Sequence, residues 1–323
     1  MAIRMNISSF PARLMVAILL FGILSGCARE KTASSEAVQV IATTTILADV
    51  ASEVGGKTAD VHALLPVGAD PHGYELTSDD LRRLTRADLL LINGLGLEQN
   101  LSGTMKSAGM DLPLVVTSRS IKTRTMKLDD GHGHASSERH VDHAHNHGKS
   151  DPHVWFNPNN VLHWVDVIET ELVRHDSSHA DIYRRNAEVY RDSLRALDRW
   201  IRATVSQIPE ERRVIVSDHK LFGYFADEYG FKVVGSVVPG FSSLASPSAR
   251  AVAKLETTIA EAGVRAILVG QTVNPVLAER IAEDTGAEVV RVYTGSLSSP
   301  EEPAATYLDY MRYNVRAITR AAQ

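Results

Sequence analysis

Three short segments of the chain place a histidine next to an aspartate: Asp70-Pro71-His72, Asp151-Pro152-His153 and Asp218-His219. Proline before His72 and His153 restricts the approach of the backbone, and the aspartate can accept a hydrogen bond from a ring nitrogen or a turn amide. His72 follows the strand-like run Val61 to Leu65 after a Pro-Val-Gly turn, and His219 follows Val214 to Ser217 directly. In an open α/β sheet, residues just past the carboxyl ends of strands line the crevice where ligands bind. Neutral imidazole suits Zn, Cu, Ni and Fe, and tetrahedral zinc commonly takes three protein ligands and an open fourth position. Taken singly, each histidine is better explained as structural. Brought together at a domain interface, the three would form a transition-metal site.

Of the thirteen histidines, six lie between Asp129 and Ser150: His132, His134, His140, His143, His145 and His147. They are set among Gly, Ser, Asp and Lys with almost nothing to bury, so that stretch is expected to be a disordered loop. Several imidazoles on a flexible tether would bind Zn²⁺ weakly and raise its concentration beside a tighter site; the bland alternative is a spacer. His62 on a strand, His163 on a predicted helix after Pro158, and His175 and His179 before a long helix are expected to be structural or exposed. Glu75, at the expected start of a helix, is explained by the helix dipole rather than as a ligand. Trp155, Phe156 and Tyr224 are expected to pack around the site and limit water access.

The elements that must position these residues alternate. Val38 to Ala42, Val61 to Leu65, Leu89 to Ile92 and Leu114 to Val116 read as strands, with helices at Ile46 to Val54, Asp79 to Arg86 and Glu98 to Ser107 between them. The pattern restarts with strands at Val214 to Ser217, Lys232 to Val238, Ala266 to Val269 and Glu288 to Val292. Its helices fall at Phe222 to Tyr229, Ser246 to Glu261, Pro275 to Glu283 and Ala304 to Ile318. This order predicts an α/β fold of two lobes, each a mostly parallel four-stranded sheet covered by helices. Between them Tyr183, Ala187, Tyr190, Leu194, Leu197, Ile201 and Val205 recur in steps of three and four, one amphipathic helix of about seven turns. A helix joining two lobes resists bending, so limited closure on ligand binding is expected. The expected divisions are a first lobe over 38–180, a linker helix over 181–206 and a second lobe over 207–323.

The beginning of the chain reads as a secretory signal: Arg4 and Arg13 precede the apolar run Leu14 to Leu24, too short to span a bilayer. Leu24-Ser25-Gly26-Cys27 resembles the lipobox of bacterial lipoproteins, in which the cysteine receives a diacylglycerol. Cys27 is the only cysteine, so no internal disulfide is possible, and residues 27–37 read as a lipidated polar tether. Cleavage after residue 26 would leave 32 basic and 39 acidic residues, a net of about −7, which disfavours nucleic acid and anionic lipid as partners.

The motifs Leu65-Pro-Val-Gly-Ala-Asp-Pro-His72-Gly-Tyr-Glu75, Asp151-Pro-His153-Val-Trp-Phe-Asn-Pro158, Ser217-Asp-His219-Lys-Leu-Phe-Gly-Tyr224 and Tyr293-Thr-Gly295-Ser-Leu297 run in order through the chain. Together they resemble the zinc- and manganese-binding solute-binding lipoproteins of bacterial ABC importers, a family that includes periplasmic zinc-uptake proteins and streptococcal "adhesins". The resemblance implies metal held between two lobes, the ligands here being His72, His153 and His219. It also implies an extracytoplasmic location, a membrane permease as partner and a membrane anchor on Cys27; the chain is expected to be a monomer. Manganese-type members commonly have glutamate at the position of His219, which tilts the choice toward Zn²⁺, with Mn²⁺ or iron as alternatives. The family's usual fourth ligand is an aspartate in Tyr-Thr-Asp-Ser-Leu, and Gly295 stands there instead. Water, Gln271 or an unidentified carboxylate would have to complete the shell.

Two readings from other classes compete with this one. A zinc hydrolase could also use three histidines and an open position, yet the chain has no H-E-x-x-H, no serine nucleophile elbow and no carboxylate evidently placed as a base. An adhesin with a structural metal would need an exposed interaction patch that the sequence does not display.

Overall fold

The computed structural model describes residues 37–98, 101, 103–104, 112–125 and 150–322. The signal segment, Cys27, most of the tether, all six histidines of the 129–150 stretch and most of the helix expected at Glu98 to Ser107 lie outside them. Among the described residues no helix is long and apolar enough to cross a membrane.

The first half forms β1 (Val38–Ala42), α1 (Thr45–Gly55), β2 (Ala59–Ala63), α2 (Ser78–Leu84), β3 (Leu89–Ile92) and β4 (Leu114–Val116). Its strands pair in the order β2-β1-β3-β4, all parallel. Next come α3 (Pro158–His175) and α4 (Ala180–Val205). The second half forms β5 (Val214–Ser217), α5 (Gly223–Tyr229), β6 (Lys232–Ser236), α6 (Ala249–Ala262), β7 (Ala266–Gly270), α7 (Val276–Thr285), β8 (Glu288–Val292) and α8 (Tyr307–Ala322). Its sheet repeats the topology of the first as β6-β5-β7-β8, again parallel. Parallel strands covered on both faces read as continuous apolar runs, and the all-buried Ala266-Ile-Leu-Val-Gly270 is an example.

Each sheet leaves its strand ends where the expected ligands lie, although several boundaries shift. The second strand runs Ala59–Ala63 rather than Val61 to Leu65; Leu64 and Leu65 still donate to the carbonyls of Ala42 and Thr43, beyond the paired register. The strand begun at Lys232 stops at Ser236. Caps move two helix starts. The Ser248 hydroxyl accepts from Ala251 N, so α6 opens at Ala249 instead of Ser246. Thr306 Oγ1 accepts from Asp309 N while the Asp49 carboxylate accepts from Tyr307 N at 2.8 Å, so α8 opens at Tyr307 instead of Ala304. Glu75 is exposed and precedes α2 by three residues; Thr77 and Asp80 form the capping box that starts that helix.

The predicted apolar stripe on α4 is the buried face, from Tyr183 to Val205. With 26 residues the helix is about 39 Å long, and it packs on α1 and α3 of the first half and on α8 of the second. One core runs through both halves. Phe156, in a short 3₁₀ turn at Val154–Phe156, packs at a tilt against Phe222 from just before α5, with ring centroids 4.6 Å apart, and lies against Tyr310 of α8. Tyr307 donates to the carbonyl of Trp155 at 2.7 Å. These aromatic contacts join the segment bearing His153 to the second sheet.

Candidate metal site

The three histidines arrive from three directions. His72 sits in the loop after β2, and His219 is the second residue after β5. His153 is fixed by its neighbours: Asn93, just past β3, donates to Pro152 O at 3.0 Å, and Asp151 N donates to Arg124 O at 2.9 Å. The rings converge edge to face, with centroids 5.1 to 5.4 Å apart. His153 Nε2 lies 3.1 Å from His72 Nε2 and 3.3 Å from His219 Nε2. Metal–nitrogen bonds of about 2.0–2.1 Å in tetrahedral array put ligand nitrogens about 3.3 Å apart. Among the described residues these three form the one cluster of His, Cys, Asp or Glu able to share an ion.

Two rings are aimed by carboxylates. Asp151 Oδ1 accepts from both the backbone N of His153 at 3.0 Å and its ring Nδ1 at 2.8 Å. Asp218 Oδ1 serves His219 in the same way, with both contacts at 2.5 Å, and its other oxygen accepts from Gly270 N at 2.6 Å. A carboxylate that holds Nδ1–H leaves Nε2 with its lone pair free for a cation. With both acids ionised, the Nε2 lone pairs of His153 and His219 therefore face each other, an arrangement that calls for a proton or a metal ion between them. His72 is held differently. Asp70 Oδ1 accepts only the backbone N of His72, at 3.0 Å, while Oδ2 accepts from Ser243, and no described residue hydrogen-bonds the His72 Nδ1.

The site resists protonation at two of its rings. Burial, reinforced by the neighbouring His219, pushes His72 down to about 4. Burial does the same to His153, taking it well below its ordinary range, with His219 and His72 adding to the effect. Burial pushes Asp151 up to about 7, against the His153 amide, the Arg124 guanidinium and His219.

Trp155 packs edge-on against His153, with centroids 5.4 Å apart, and its Nε1–H donates to Thr294 O. Phe156 is buried behind it, and Tyr224 donates to Asp151 O at 3.0 Å. Gly295 offers no side chain at the expected fourth position, and Pro71 crowds the place where one would start. A Cβ added at Gly295 would lie 2.6 Å from Pro71 Cδ. Gln271 is exposed, its Oε1 accepting from Arg291 at 3.4 Å. His62, His163, His175 and His179 take no part in the cluster. His62 pairs with Asp60 at 3.0 Å and His179 with Asp176 at 2.5 Å. Sequence reasoning missed Arg124, which lies 3.8 Å from Asp151; an arginine far from any ligand motif carries no local signal.

Comparison with known proteins gives the family. Residues 40–321 match the family model "Zinc-uptake complex component A periplasmic". The manganese-binding lipoprotein MntA of Halalkalibacterium halodurans is 31% identical over 91% of this chain and 92% of its own length. The iron-binding protein YfeA of Yersinia pestis is 30% identical over 87% of this chain and 85% of its own. The periplasmic zinc-binding protein TroA of Treponema pallidum superposes with a TM-score of 0.77 at 24% identity, covering 88% of this chain and 99% of that one. Sequence, fold and clustered histidines thus converge: the chain belongs to the zinc-uptake component A family, the metal-binding solute-binding proteins of ABC importers, which are transport components and not enzymes.

Proposed function

We propose that this chain captures zinc on the Nε2 atoms of His72, His153 and His219 and hands it to a membrane permease. The observation that carries the reading is the pair of Asp-held imidazoles whose Nε2 atoms face each other at 3.3 Å, with a third Nε2 3.1 Å from one of them. An all-nitrogen donor set suits zinc, whereas manganese depends more on carboxylate oxygen. Gly295 supplies no such oxygen, and Pro71 lies where its side chain would start. An exchangeable water at the fourth position fits a protein that must release its cargo.

A manganese or iron carrier of the same type is the second reading, favoured by the names of relatives about 30% identical. Competitive titration of the protein with Zn²⁺, Mn²⁺ and Fe²⁺, followed by metal analysis, separates the two. Zinc is expected to displace the others at equal concentration; retention of manganese against zinc would overturn the zinc assignment. Anchoring through a lipid on Cys27, outside the cytoplasm, belongs to the same proposal, as does weak zinc capture by His132, His134, His140, His143, His145 and His147. Growth rescue by zinc of a chelator-starved deletion strain supports uptake, while unchanged growth with lost attachment supports adhesion.

A further inference from the structure

We propose that Arg124 is a positioning residue for the metal ligand His153, acting through Asp151. This role presupposes the three-histidine site proposed above. The Asp151 side chain is only 1% exposed. Its Oδ1 is taken up by the amide and ring of His153, and its Oδ2 is buried with no hydrogen-bond partner among the described residues. A buried carboxylate oxygen left in that state is costly, and a nearby positive charge offsets the cost and keeps the group from turning away. Arg124 supplies the charge, with Nε 3.8 Å from Oδ2, too long for a hydrogen bond but close enough for strong attraction in a dry setting. Among the described residues Arg124 is the one arginine or lysine paired with Asp151, so its removal frees the carboxylate to turn from the His153 Nδ1.

Arg124 is itself held from several sides. Its guanidinium pairs with Asp227 and lies over the Tyr224 ring, both residues of α5. Its backbone N donates to Tyr224 OH at 3.1 Å, and that hydroxyl in turn donates to Asp151 O at 3.0 Å. Arg124 O accepts from Asp151 N at 2.9 Å, and the next pair outward, Thr125 and Ser150, forms an antiparallel bridge. Gly223, the first residue of α5, makes the meeting possible. A Cβ there would lie 2.5 Å from Arg124 Nε and 2.7 Å from Asp151 Oδ2. Its φ is not positive, so space rather than backbone conformation demands glycine. The same contacts tie His153 of the first half to the helix that closely follows His219 in the second.

The test uses the chain from Cys27 onward with its 129–150 stretch intact, in four variants: Arg124→Gln, Arg124→Lys, Gly223→Ala and Asp227→Asn. Zinc affinity is measured by chelator competition, and the His153 ring nitrogens by ¹⁵N NMR of the metal-free protein. Arg124→Gln and Gly223→Ala are each expected to weaken zinc binding about tenfold, the size typical of partners that orient a metal-binding histidine. Both are expected to shift the His153 signals from the Nδ1-protonated form toward a tautomer mixture. Arg124→Lys should recover part of the affinity, and Asp227→Asn should cost only about two- to threefold because its pair with Arg124 is more exposed. Zinc binding within about twofold of wild type in both Arg124→Gln and Gly223→Ala would overturn the role. So would weakened binding with unchanged His153 signals, which would mark a merely structural residue. A wild-type chain that takes up no zinc would instead overturn the three-histidine reading, and this role with it.

Discussion

The tripeptide Asp-Pro-His occurs twice in this chain and does two different things. In Asp151-Pro152-His153 one carboxylate oxygen takes both the backbone N and the ring Nδ1 of the histidine, and all three residues are buried. In Asp70-Pro71-His72 the carboxylate takes the backbone N and then reaches across to Ser243, leaving the ring without a carboxylate partner among the described residues. The turn that ties Asp to the amide two residues on is local and repeats wherever the tripeptide does. What the ring does is set by packing. Trp155 packs edge-on against the buried His153, whereas His72 is partly exposed.

That contrast can be broken at its strongest point first. Replacing His153 by Ala should cause the largest loss of zinc affinity in the molecule, because its Nε2 lies within 3.3 Å of both partners; His72→Ala and His219→Ala should each cost at least about tenfold, roughly 1.4 kcal/mol. Chelator-competition titrations rank the three, and equal losses would argue that no member is central.

The two aspartates sharpen the comparison at the next level. Asp151→Ala should weaken zinc binding about 10- to 100-fold, while Asp70→Ala should cost no more than about threefold, since only the former orients a ring. Similar losses by the same titration would show that the shared turn, not the ring contact, is what matters.

A smaller effect distinguishes them by pH. Asp151 is raised to about 7, so in the metal-free protein it holds a proton below that pH. Its contribution to the stability of the metal-free fold is therefore present in acid and lost as pH rises from the ordinary carboxylate range toward about 7. Zinc on His153 favours the ionised carboxylate, so binding expels that proton. Affinity should climb by up to about tenfold per pH unit below 7 and level off above it. Asp151→Asn should flatten the slope; a slope that survives the substitution would place the proton elsewhere.

The smallest change is expected from deleting residues 129–149. Tight binding should stay within about twofold, while total zinc bound at saturation falls. Loss of tight binding in isothermal titration would mean that a histidine from that stretch completes the site.

Much of the fold was legible because the chain states it redundantly. Short β-branched runs alternate with amphipathic ones, and the α4 stripe names its own buried face from Tyr183 to Val205. The three histidines were legible because each stands in a short motif at a strand end or before an aromatic turn. Other features were not. Helix starts moved to Ala249 and Tyr307 because caps, one of them Asp49 from the opposite half of the chain, set them. The 18-residue helix Pro158–His175 was anticipated only as the setting of His163, since its apolar positions bury against both α1 and α4 and blur a single-sided period. The difference between His72 and His153 could not be read at all, because their tripeptides are identical and only tertiary neighbours separate them. Arg124 and Gly223 were invisible for the same reason.

X-ray absorption at the zinc edge of the one-to-one zinc-loaded protein most directly tests whether three imidazoles share a single ion. Three histidine nitrogens at about 2.0–2.1 Å with one further light ligand are expected, and the histidine signal should fall by about a third in His153→Ala. A shell dominated by carboxylate oxygen, or one unchanged by that substitution, would contradict the account.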